Sequence, residues 1–342
     1  MTYQEVMTAI KQGKLQHIYL ISGEESYLAS KIERALLKQL LPSGSDDGIQ
    51  VYSNDVAIDD LINSINSTPF FAERNVIIAR NPAFFKEHKK AGKTTGSNDK
   101  QDIKLESIFS NMPEYSFLIL RTDDKIDKRR KIYKVITKHG CAVEVMPIRP
   151  WEVKDWLQVK LKEIDRRFDR DAYNYFLEIT SVMNTVSVGF LEQEVDKLAL
   201  YSDKKIITKN DLLRVMASLP EVSIFSMLDA ISDRNVSKAL QLLLEQITGG
   251  IHQLRIITML SRHVRQIWQA KLAGQMGING KNLASEIGVV PFIAEKLLVK
   301  SRFFAEDTLK TAQIALADAD YQFKSGQADV AVLERIIINL CG

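Results

Sequence analysis

The first part of the chain alternates short apolar runs with longer amphipathic stretches. The runs are rich in β-branched residues and predict strands at His17 to Ser22, Ile49 to Tyr52, Asn75 to Arg80, Ser116 to Arg121 and Cys141 to Val145. The stretches between them include candidate helices at Tyr27 to Leu40, Ala57 to Ile65 and Lys128 to His139. Because parallel neighbouring strands need crossover connections, this order predicts a parallel sheet with helices on both faces.

One tract of this region, Lys86 to Lys104, departs from the alternation. It is polar, contains glycine and shows no apolar period. We therefore expect it to form a surface loop.

Beyond Pro147 and Pro150 the strand pattern ends and helical periodicity takes over. Apolar positions then share helical faces, and Thr208 with Asp211 is typical of a helix start. From near Pro220 the stripes become strongly periodic, and they include Leu243, Leu260, Ile267 and Leu333. The predicted fold class is an α/β parallel-sheet domain at residues 1–147, a small helical lid at 148–219 and an all-α bundle at 220–342.

Composition places the chain among globular proteins. Of its 342 residues 45% are hydrophobic and 26% charged, and 46 basic residues nearly balance 43 acidic ones, so the net charge alone would not hold nucleic acid. The two cysteines, Cys141 and Cys341, show no metal-site spacing. The N-terminus lacks an apolar signal core, and no apolar run approaches the ~18 residues of a membrane span. We expect a cytoplasmic protein with no membrane partner.

An α/β domain followed by a helical lid is the layout of P-loop ATPases of the AAA+ type, but the phosphate-binding motif is missing. After the first strand, Ser22 to Ser26 reads SGEES, with one glycine, no lysine and two carboxylates that would repel a triphosphate. Gly92 to Thr94 matches only the end of the motif, without a preceding strand. Asp123 and Asp124 are interpreted as a solvated turn rather than a magnesium-binding pair.

No catalytic or metal-binding constellation stands out in the sequence. The five histidines show no HExxH spacing, and Ser187 to Gly189 lacks the GxSxG pattern of a hydrolase nucleophile. We expect no metal, no cofactor and no catalytic residues.

Two basic features leave a functional and a structural interpretation open. The run from Lys125 to Lys131 suits either phosphate contact or a solvated helix start. Arg255, Arg262 and Arg265 occupy the polar side of one bundle stripe. They would contact DNA if that face lined a DNA channel, and would be solvated otherwise.

The segment Ser67 to Arg74, STPFFAER, is the most informative anomaly. Phe70 and Phe71 are adjacent, so they cannot both face one side of a regular element, and at least one of them is a candidate for exposure. An exposed aromatic pair would suit a partner's apolar pocket. The alternative is that the pair packs the helix end onto the sheet.

Five segments in order resemble the delta subunit family of the bacterial DNA polymerase III clamp loader. They are Ile18 to Leu28 (like YLLxGxExxL), Thr68 to Val76 (xxLFxxRxxV), Asp127 to Lys134 (DKRxKxYK), Val222 to Ile231 with Ala239-Leu240 (xxxIFxLxDAI…AL) and Asp318 to Gly326 (xxDxxxKxG). The resemblance runs the whole length of the chain.

This resemblance implies a three-domain, C-shaped, AAA+-like protein without ATPase activity, classed with DNA-directed DNA polymerase only as a holoenzyme subunit. Its bundle would join a pentameric collar with the ATPase (gamma/tau) subunits and delta-prime, around primer-template DNA. Phe70 and Phe71, preceded by Thr68 and Pro69, lie where the family inserts a hydrophobic wedge into the beta sliding clamp. Some members have a bulky apolar residue at the position of Thr68.

Two other functions stay open on the sequence. One is a stand-alone AAA+ ATPase, which the incomplete phosphate loop disfavours. The other is a DNA-binding regulator with a helix-turn-helix at Gly280 to Lys296. A reader helix would be expected to display Arg, Asn or Gln. Phe292, Ile293, Ala294 and Leu297 instead suit packing.

Overall fold

The structure of the protein is a computed structural model that describes residues 1–42, 47–54, 56–70, 72–85, 97–216, 219–278 and 280–342. The chain divides into two compact units. Residues 1–147 together with 187–189 form the first, and residues 148–186 together with 190–342 form the second.

The first unit is an α/β structure built on a five-stranded sheet. Its elements in chain order are α1 (Tyr3–Lys11), β1 (Ile18–Ser22), α2 (Ser26–Leu40), β2 (Ile49–Ser53), α3 (Ile58–Asn66), β3 (Asn75–Arg80), α4 (Ser97–Ser110), β4 (Ser116–Thr122), α5 (Lys131–His139) and β5 (Cys141–Glu144). The strands pair in parallel in the order β2-β3-β4-β1-β5. The predicted parallel sheet is therefore confirmed, with strands at the expected places.

Each face of the sheet packs against its own set of helices. Along β1, Ile18 and Leu20 point to one face and Tyr19 and Ile21 to the other, as the two-residue period of a strand requires. The first face packs against apolar residues of α3, α4 and α5, and the second against those of α1 and α2. Burial on both faces explains why the strands are continuous apolar runs in the sequence.

The prediction of a loop from Lys86 to Lys104 is wrong for its second half. Helix α4 begins at Ser97, and Leu105 and Phe109 near its end are buried against the sheet. The first turns of α4 are polar in sequence, so the pattern shows no period there. Residues 86–96 lie outside the described part.

The second unit is mainly helical. Its elements are α6 (Val153–Glu163), β6 (Arg167–Phe168), α7 (Arg170–Ser181), α8 (Val188–Tyr201, whose first two residues belong to the first unit), β7 (Ile206–Ile207), α9 (Lys209–Val215), α10 (Pro220–Ser232), α11 (Val236–Thr248), α12 (Gln253–Gln275), α13 (Gly280–Ile287), α14 (Pro291–Ser301), α15 (Glu306–Lys324) and α16 (Ala331–Cys341). The sequence predicted helices alone, and the short parallel pair β6-β7 corrects it. Two-residue strands are too short to show a period.

One apolar core runs through the second unit from Val153 to Cys341. The predicted stripe residues lie in it, including Leu243, Leu260, Ile267 and Leu333. Thr208 and Asp211 form the expected capping box at the start of α9. The division into a lid at 148–219 and a bundle at 220–342 stays a prediction. No helix of the described residues is long and apolar enough to cross a bilayer.

A charged cluster surrounds His263 in the bundle. Its Nε2 lies 2.9 Å from Ser232 Oγ. Lys300 pairs with Asp229 and, at 3.1 Å, with Asp233, while Lys296 lies 3.8 Å from Asp229. Burial and the positive charge of Lys300 lower the pKa of the His263 imidazole to about 4.

This depressed pKa predicts a loss of stability in mild acid. Below pH 6.5 the unfolded chain protonates His263 while the folded chain does not, so stability falls as the pH drops from 6.5 towards 4. Between pH 7 and pH 5 the loss should be about 1 to 2 kcal/mol. Urea unfolding should show a weaker pH dependence for His263→Gln than for the wild type or the His139→Gln control. Equal dependence in all three would contradict the assignment.

Candidate functional site

Phe70 projects from the turn between α3 and β3. It is 94% exposed, the most exposed of the large apolar side chains in the described part of the chain. Thr68 before it is exposed and Pro69 is half-buried. The interpretation in which the pair packs the helix end onto the sheet therefore does not hold for Phe70. Phe71 lies outside the described residues.

The turn starts from a firmly held helix end. The last carbonyl groups of a helix have no partners within it, and α3 has no glycine after it to supply a C-cap. Side chains from β3 and β4 take that role. Asn75 Nδ2 donates to the carbonyls of Ser64 (2.6 Å) and Ser67 (3.1 Å), and Ser116 Oγ donates to the carbonyl of Ile65 (2.6 Å).

A tyrosine completes this capping. Tyr115 OH donates to the carbonyl of Asn66 at 3.3 Å and lies 3.5 Å from Thr68 Oγ1. Asn75 and Ser116 are both buried. Buried hydrogen bonds to the backbone fix the direction in which the chain leaves the helix, so the position of Phe70 is set by the sheet beneath it.

The returning side of the turn is held as well. Arg74 Nη1 donates to the carbonyls of Gln39 and Leu40, both at 3.2 Å, at the end of α2. Its guanidinium group also lies 5.6 Å from the centre of the Phe117 ring. At Gly48 a Cβ would lie 2.4 Å from the Arg74 carbonyl oxygen, so only glycine fits there.

The turn thus presents the exposed apolar side chain of Phe70 on a backbone that is hydrogen-bonded at both ends. Transferring a phenylalanine side chain from water to an apolar environment is worth about 1.5 to 3 kcal/mol, which the folded chain forgoes at Phe70. Aromatic residues in such positions are typical anchors for a partner's pocket. The geometry therefore suits binding rather than chemistry.

The turn after β1, where a P-loop would cradle phosphates, is filled by the protein itself. Glu25 is buried, and its carboxylate accepts hydrogen bonds from Ser187 Oγ (3.1 Å), Val188 N (2.8 Å) and Gly189 N (3.3 Å). Gly23 has φ +122°, and a Cβ there would lie 2.1 Å from the Val145 carbonyl oxygen. This glycine allows close packing against the end of β5 instead of opening a phosphate nest.

An ion-pair cluster lies at the carboxyl ends of β3 and β4, the edge at which parallel sheets bind ligands. The buried Glu33 of α2 pairs with Arg80 (2.5 Å) and Arg121 (3.6 Å). Arg121 also donates to Ser30 Oγ at 3.0 Å. The two arginines that could hold a phosphate thus share an internal carboxylate, which offsets one of their two positive charges.

Asp123 of the acidic pair and Arg130 of the basic run also have partners within the first unit. Asn81 and Asp123 exchange two hydrogen bonds, at 2.8 and 2.9 Å. Arg130 donates to the carbonyls of Phe84 and Phe85, both at 2.8 Å. In the part of the chain that is described, no group of three or more acidic, cysteine or histidine side chains could hold a metal ion. These contacts favour the structural interpretation of both the acidic pair and the basic run.

The three arginines proposed for DNA contact all lie on α12 but differ in environment. Arg255 and Arg265 are exposed. Arg262 is half-buried and donates to the Ser181 carbonyl (3.4 Å) and to Asn184 Oδ1 (3.1 Å). Burial and the neighbouring Arg265 lower the pKa of the Arg262 guanidinium. Arg262 thus anchors the end of α7, which leaves Arg255 and Arg265 better suited to an external phosphate.

The helix-turn-helix alternative loses its support in the second unit. α13 and α14 do form two short helices about a turn. However, Ile293, Ala294 and Leu297 of the second helix are buried in the core. The helix that would read DNA is occupied with packing.

Sequence reasoning found Phe70 but missed the residues that hold it. Asn75, Tyr115 and Ser116 look like ordinary polar residues at strand starts. A polar residue at the start of an otherwise apolar strand was the available signal, and its partners depend on the pairing of β3 with β4.

Comparison with known proteins agrees with this architecture. The family model "DNA polymerase III, delta subunit" matches residues 19–146, and the model of the delta subunit's C-terminal domain matches residues 221–340. The chain belongs to the DNA polymerase III delta subunit family. The expected order, a parallel-sheet domain followed by a mainly helical part, is confirmed.

Individual relatives align over most of the chain. DNA polymerase III subunit delta of Bacillus subtilis (strain 168) is 25% identical over 98% of this chain and 95% of its own. The probable DNA polymerase III subunit delta of Aquifex aeolicus (strain VF5) is 25% identical over 84% of this chain and 80% of its own. The solved structure of the Bacillus subtilis DNA clamp loader delta protein shares the fold, with a TM-score of 0.57 and 24% identity over 99% of both chains.

The capping of α3 predicts a clear effect of Asn75→Ala. This change removes the Asn75 donor from two carbonyls, although that of Ser64 keeps a 3.2 Å bond from Ser67 N, so the free energy of unfolding should fall by about 1 to 2 kcal/mol. The control Asn111→Ala removes an exposed side-chain bond to Ser107 and should stay within about 0.5 kcal/mol. Urea unfolding measures both. If Asn75→Ala lowered the free energy of unfolding no more than Asn111→Ala, water would be replacing the hydrogen bonds of the Asn75 amide, and the capping role would be contradicted.

Proposed function

We propose that this chain is the delta subunit of a bacterial replicative clamp loader, and that it binds and opens the beta sliding clamp through Phe70 and Phe71. Family membership supports the clamp-loader role. The observation that carries the binding site is the exposure of Phe70 on a turn whose two ends are hydrogen-bonded to the sheet and to α2. Thr68 and Pro69 lead into this wedge.

A rigid wedge could open a ring without chemistry of its own. A ligand shifts an equilibrium only by the difference in its affinity for the two states. If Phe70 and Phe71 fit a clamp pocket better when the nearby subunit interface is relaxed, binding favours the open ring. ATP would be consumed elsewhere in the complex, by the gamma/tau subunits.

The bundle supports assembly with other subunits. Large apolar side chains are exposed on the helices of the bundle and in the turn after α14, among them Leu244, Val299, Phe303, Ile314 and Ile338. Apolar surface of this kind is what a subunit contact covers. We propose that it packs against the ATPase subunits and delta-prime in a pentameric collar, with Arg255 and Arg265, and less directly Arg262, near primer-template DNA.

The wedge predicts loss of clamp affinity without loss of fold. Phe70→Ala/Phe71→Ala should weaken binding to the cognate beta clamp about 100-fold or more, since each buried phenylalanine contributes about 1.5 to 3 kcal/mol. Surface plasmon resonance measures the affinity, and thermal melting should stay near native because Phe70 makes little internal contact.

The matched control is Phe303→Ala, which truncates another exposed phenylalanine, on the bundle. It should leave clamp affinity unchanged. Unchanged affinity in the double variant, or collapse of its fold, would contradict the proposal.

The filled phosphate-loop position predicts that the isolated chain neither binds nor hydrolyses ATP. Glu25 places a buried, hydrogen-bonded carboxylate at the turn where a triphosphate would lie, and the turn supplies no lysine, so any dissociation constant should exceed ~1 mM. Isothermal titration with ATP and magnesium tests this. Saturable micromolar binding abolished by Lys93→Ala, a residue outside the described part, would instead support a stand-alone ATPase.

A further inference from the structure

A cleft of about 510 Å³ in the second unit combines positive charge with aromatic surface. It lies between the end of α6, the β6-β7 pair and the start of α7. Its lining includes four cations and two aromatic side chains, namely Lys162, Arg166, Arg167, Lys205, Phe168 and Tyr173. No role proposed above uses these residues.

The floor of the cleft is a tightly closed helix end. Arg166 N donates to the Leu161 carbonyl (2.9 Å) and Asp165 N to the Lys162 carbonyl (3.3 Å), the two bonds of a Schellman motif. Asp165 takes the left-handed conformation, with φ 51°, where glycine is usual. The motif brings Lys162, Asp165 and Arg166 together around one turn.

The short strand pair fixes the next two cations. Arg167 N donates to the Lys205 carbonyl at 2.8 Å, and Arg167 pairs with Ile206 in the parallel register. Phe168 is half-buried, with its ring edge-to-face with that of Phe176 at 5.7 Å, while Arg167 is exposed, and both side chains line the cleft. Cations from three separate elements thus meet at one cleft.

The positive charge of the cleft is poorly compensated. The one carboxylate among the residues found to line it, Asp165, lies 3.1 Å from Lys205, and both side chains are more than two-thirds exposed. Such an exposed pair stabilises by at most about 1 kcal/mol and is readily exchanged for another anion. In addition, Arg166 Nε is buried and has no hydrogen-bond partner among the described residues.

We propose that this cleft binds single-stranded DNA, with a base against Phe168 and Tyr173 and neighbouring phosphates on Lys162, Arg167 and Lys205. A cationic groove beside aromatic side chains is the usual way in which proteins hold unpaired strands without sequence preference. The choice of DNA over RNA rests on the proposed function, but the site itself does not depend on the clamp-binding turn.

The dimensions and composition favour a single strand over other anionic partners. The volume lies within the range of about 300 to 1,000 Å³ typical of small-molecule sites, so it admits one nucleotide, whereas a duplex would reach only the outer cations with its phosphates and could not place a base against the aromatic side chains. An acidic peptide would use the cations but would gain nothing from the two aromatic side chains.

The test uses the full-length protein without the clamp, so its failure is separate from failure of clamp binding. Fluorescence anisotropy with a labelled oligothymidylate should show binding that Arg167→Glu/Lys205→Glu weakens at least ten-fold. Each lost phosphate contact should also reduce the slope of log affinity against log salt by about 0.7, hence about 1.4 for two contacts. Tyr173→Ala should weaken binding about five-fold or more and leave this slope unchanged, since stacking carries no charge.

Lys238→Glu/Lys310→Glu makes the same charge change at exposed bundle positions and should alter affinity less than three-fold. Thermal melting verifies that each variant is folded. A loss confined to Arg255→Glu/Arg265→Glu would assign the binding to α12 and overturn the proposal. So would tighter binding of duplex DNA or of RNA, or equal competition by polyglutamate.

Discussion

The candidate site depends on the side-chain amide of Asn75, which connects the end of α3 to strands β2 and β3. It closes the end of α3, it lies at the first position of β3, and it accepts from Gln50 of β2 at 3.3 Å. A helix end without glycine would otherwise leave several carbonyls unsatisfied beside a buried sheet, at about 1 to 3 kcal/mol each. With those carbonyls bonded, the chain leaves the helix in a direction that exposes Phe70 to solvent.

Polar groups are also paired within the protein at the sheet edge where an active ATPase would hold its nucleotide. A phosphate site needs unpaired N–H groups and cations that face a cavity. Here Glu25 takes up three donors and Glu33 takes up two arginines, so the positive potential is used inside the fold. The turn after β1 is thus closed by hydrogen bonds to Glu25 rather than open to a phosphate.

The sequence predicted best what burial dictates. The five strands follow from runs that are apolar on both faces, and the bundle stripes follow from residues such as Leu243 and Leu333 at helical spacing. The first half of α4 was not predicted because its polar turns show no apolar periodicity. The strands β6 and β7 were not predicted because two residues are too few to show an alternating pattern. The partners of Asn75 and Glu25 and the surroundings of Arg166 were not predicted for a different reason. They are set by the three-dimensional pairing of strands and turns, which a single sequence does not contain.

Exposure means different things at Phe70 and at the cationic cleft, and the difference follows from solvation. An exposed phenylalanine is unfavourable in water at all salt concentrations, so contact with an apolar pocket relieves it and yields a tight, salt-insensitive anchor. Exposed lysine and arginine are well solvated, so what they gain from phosphate comes mainly from counterion release and weakens with salt. A protein that carries both kinds of surface can hold one partner firmly and another loosely. If both proposals hold, the same fold binds the clamp with a slow dissociation rate and binds single-stranded DNA reversibly.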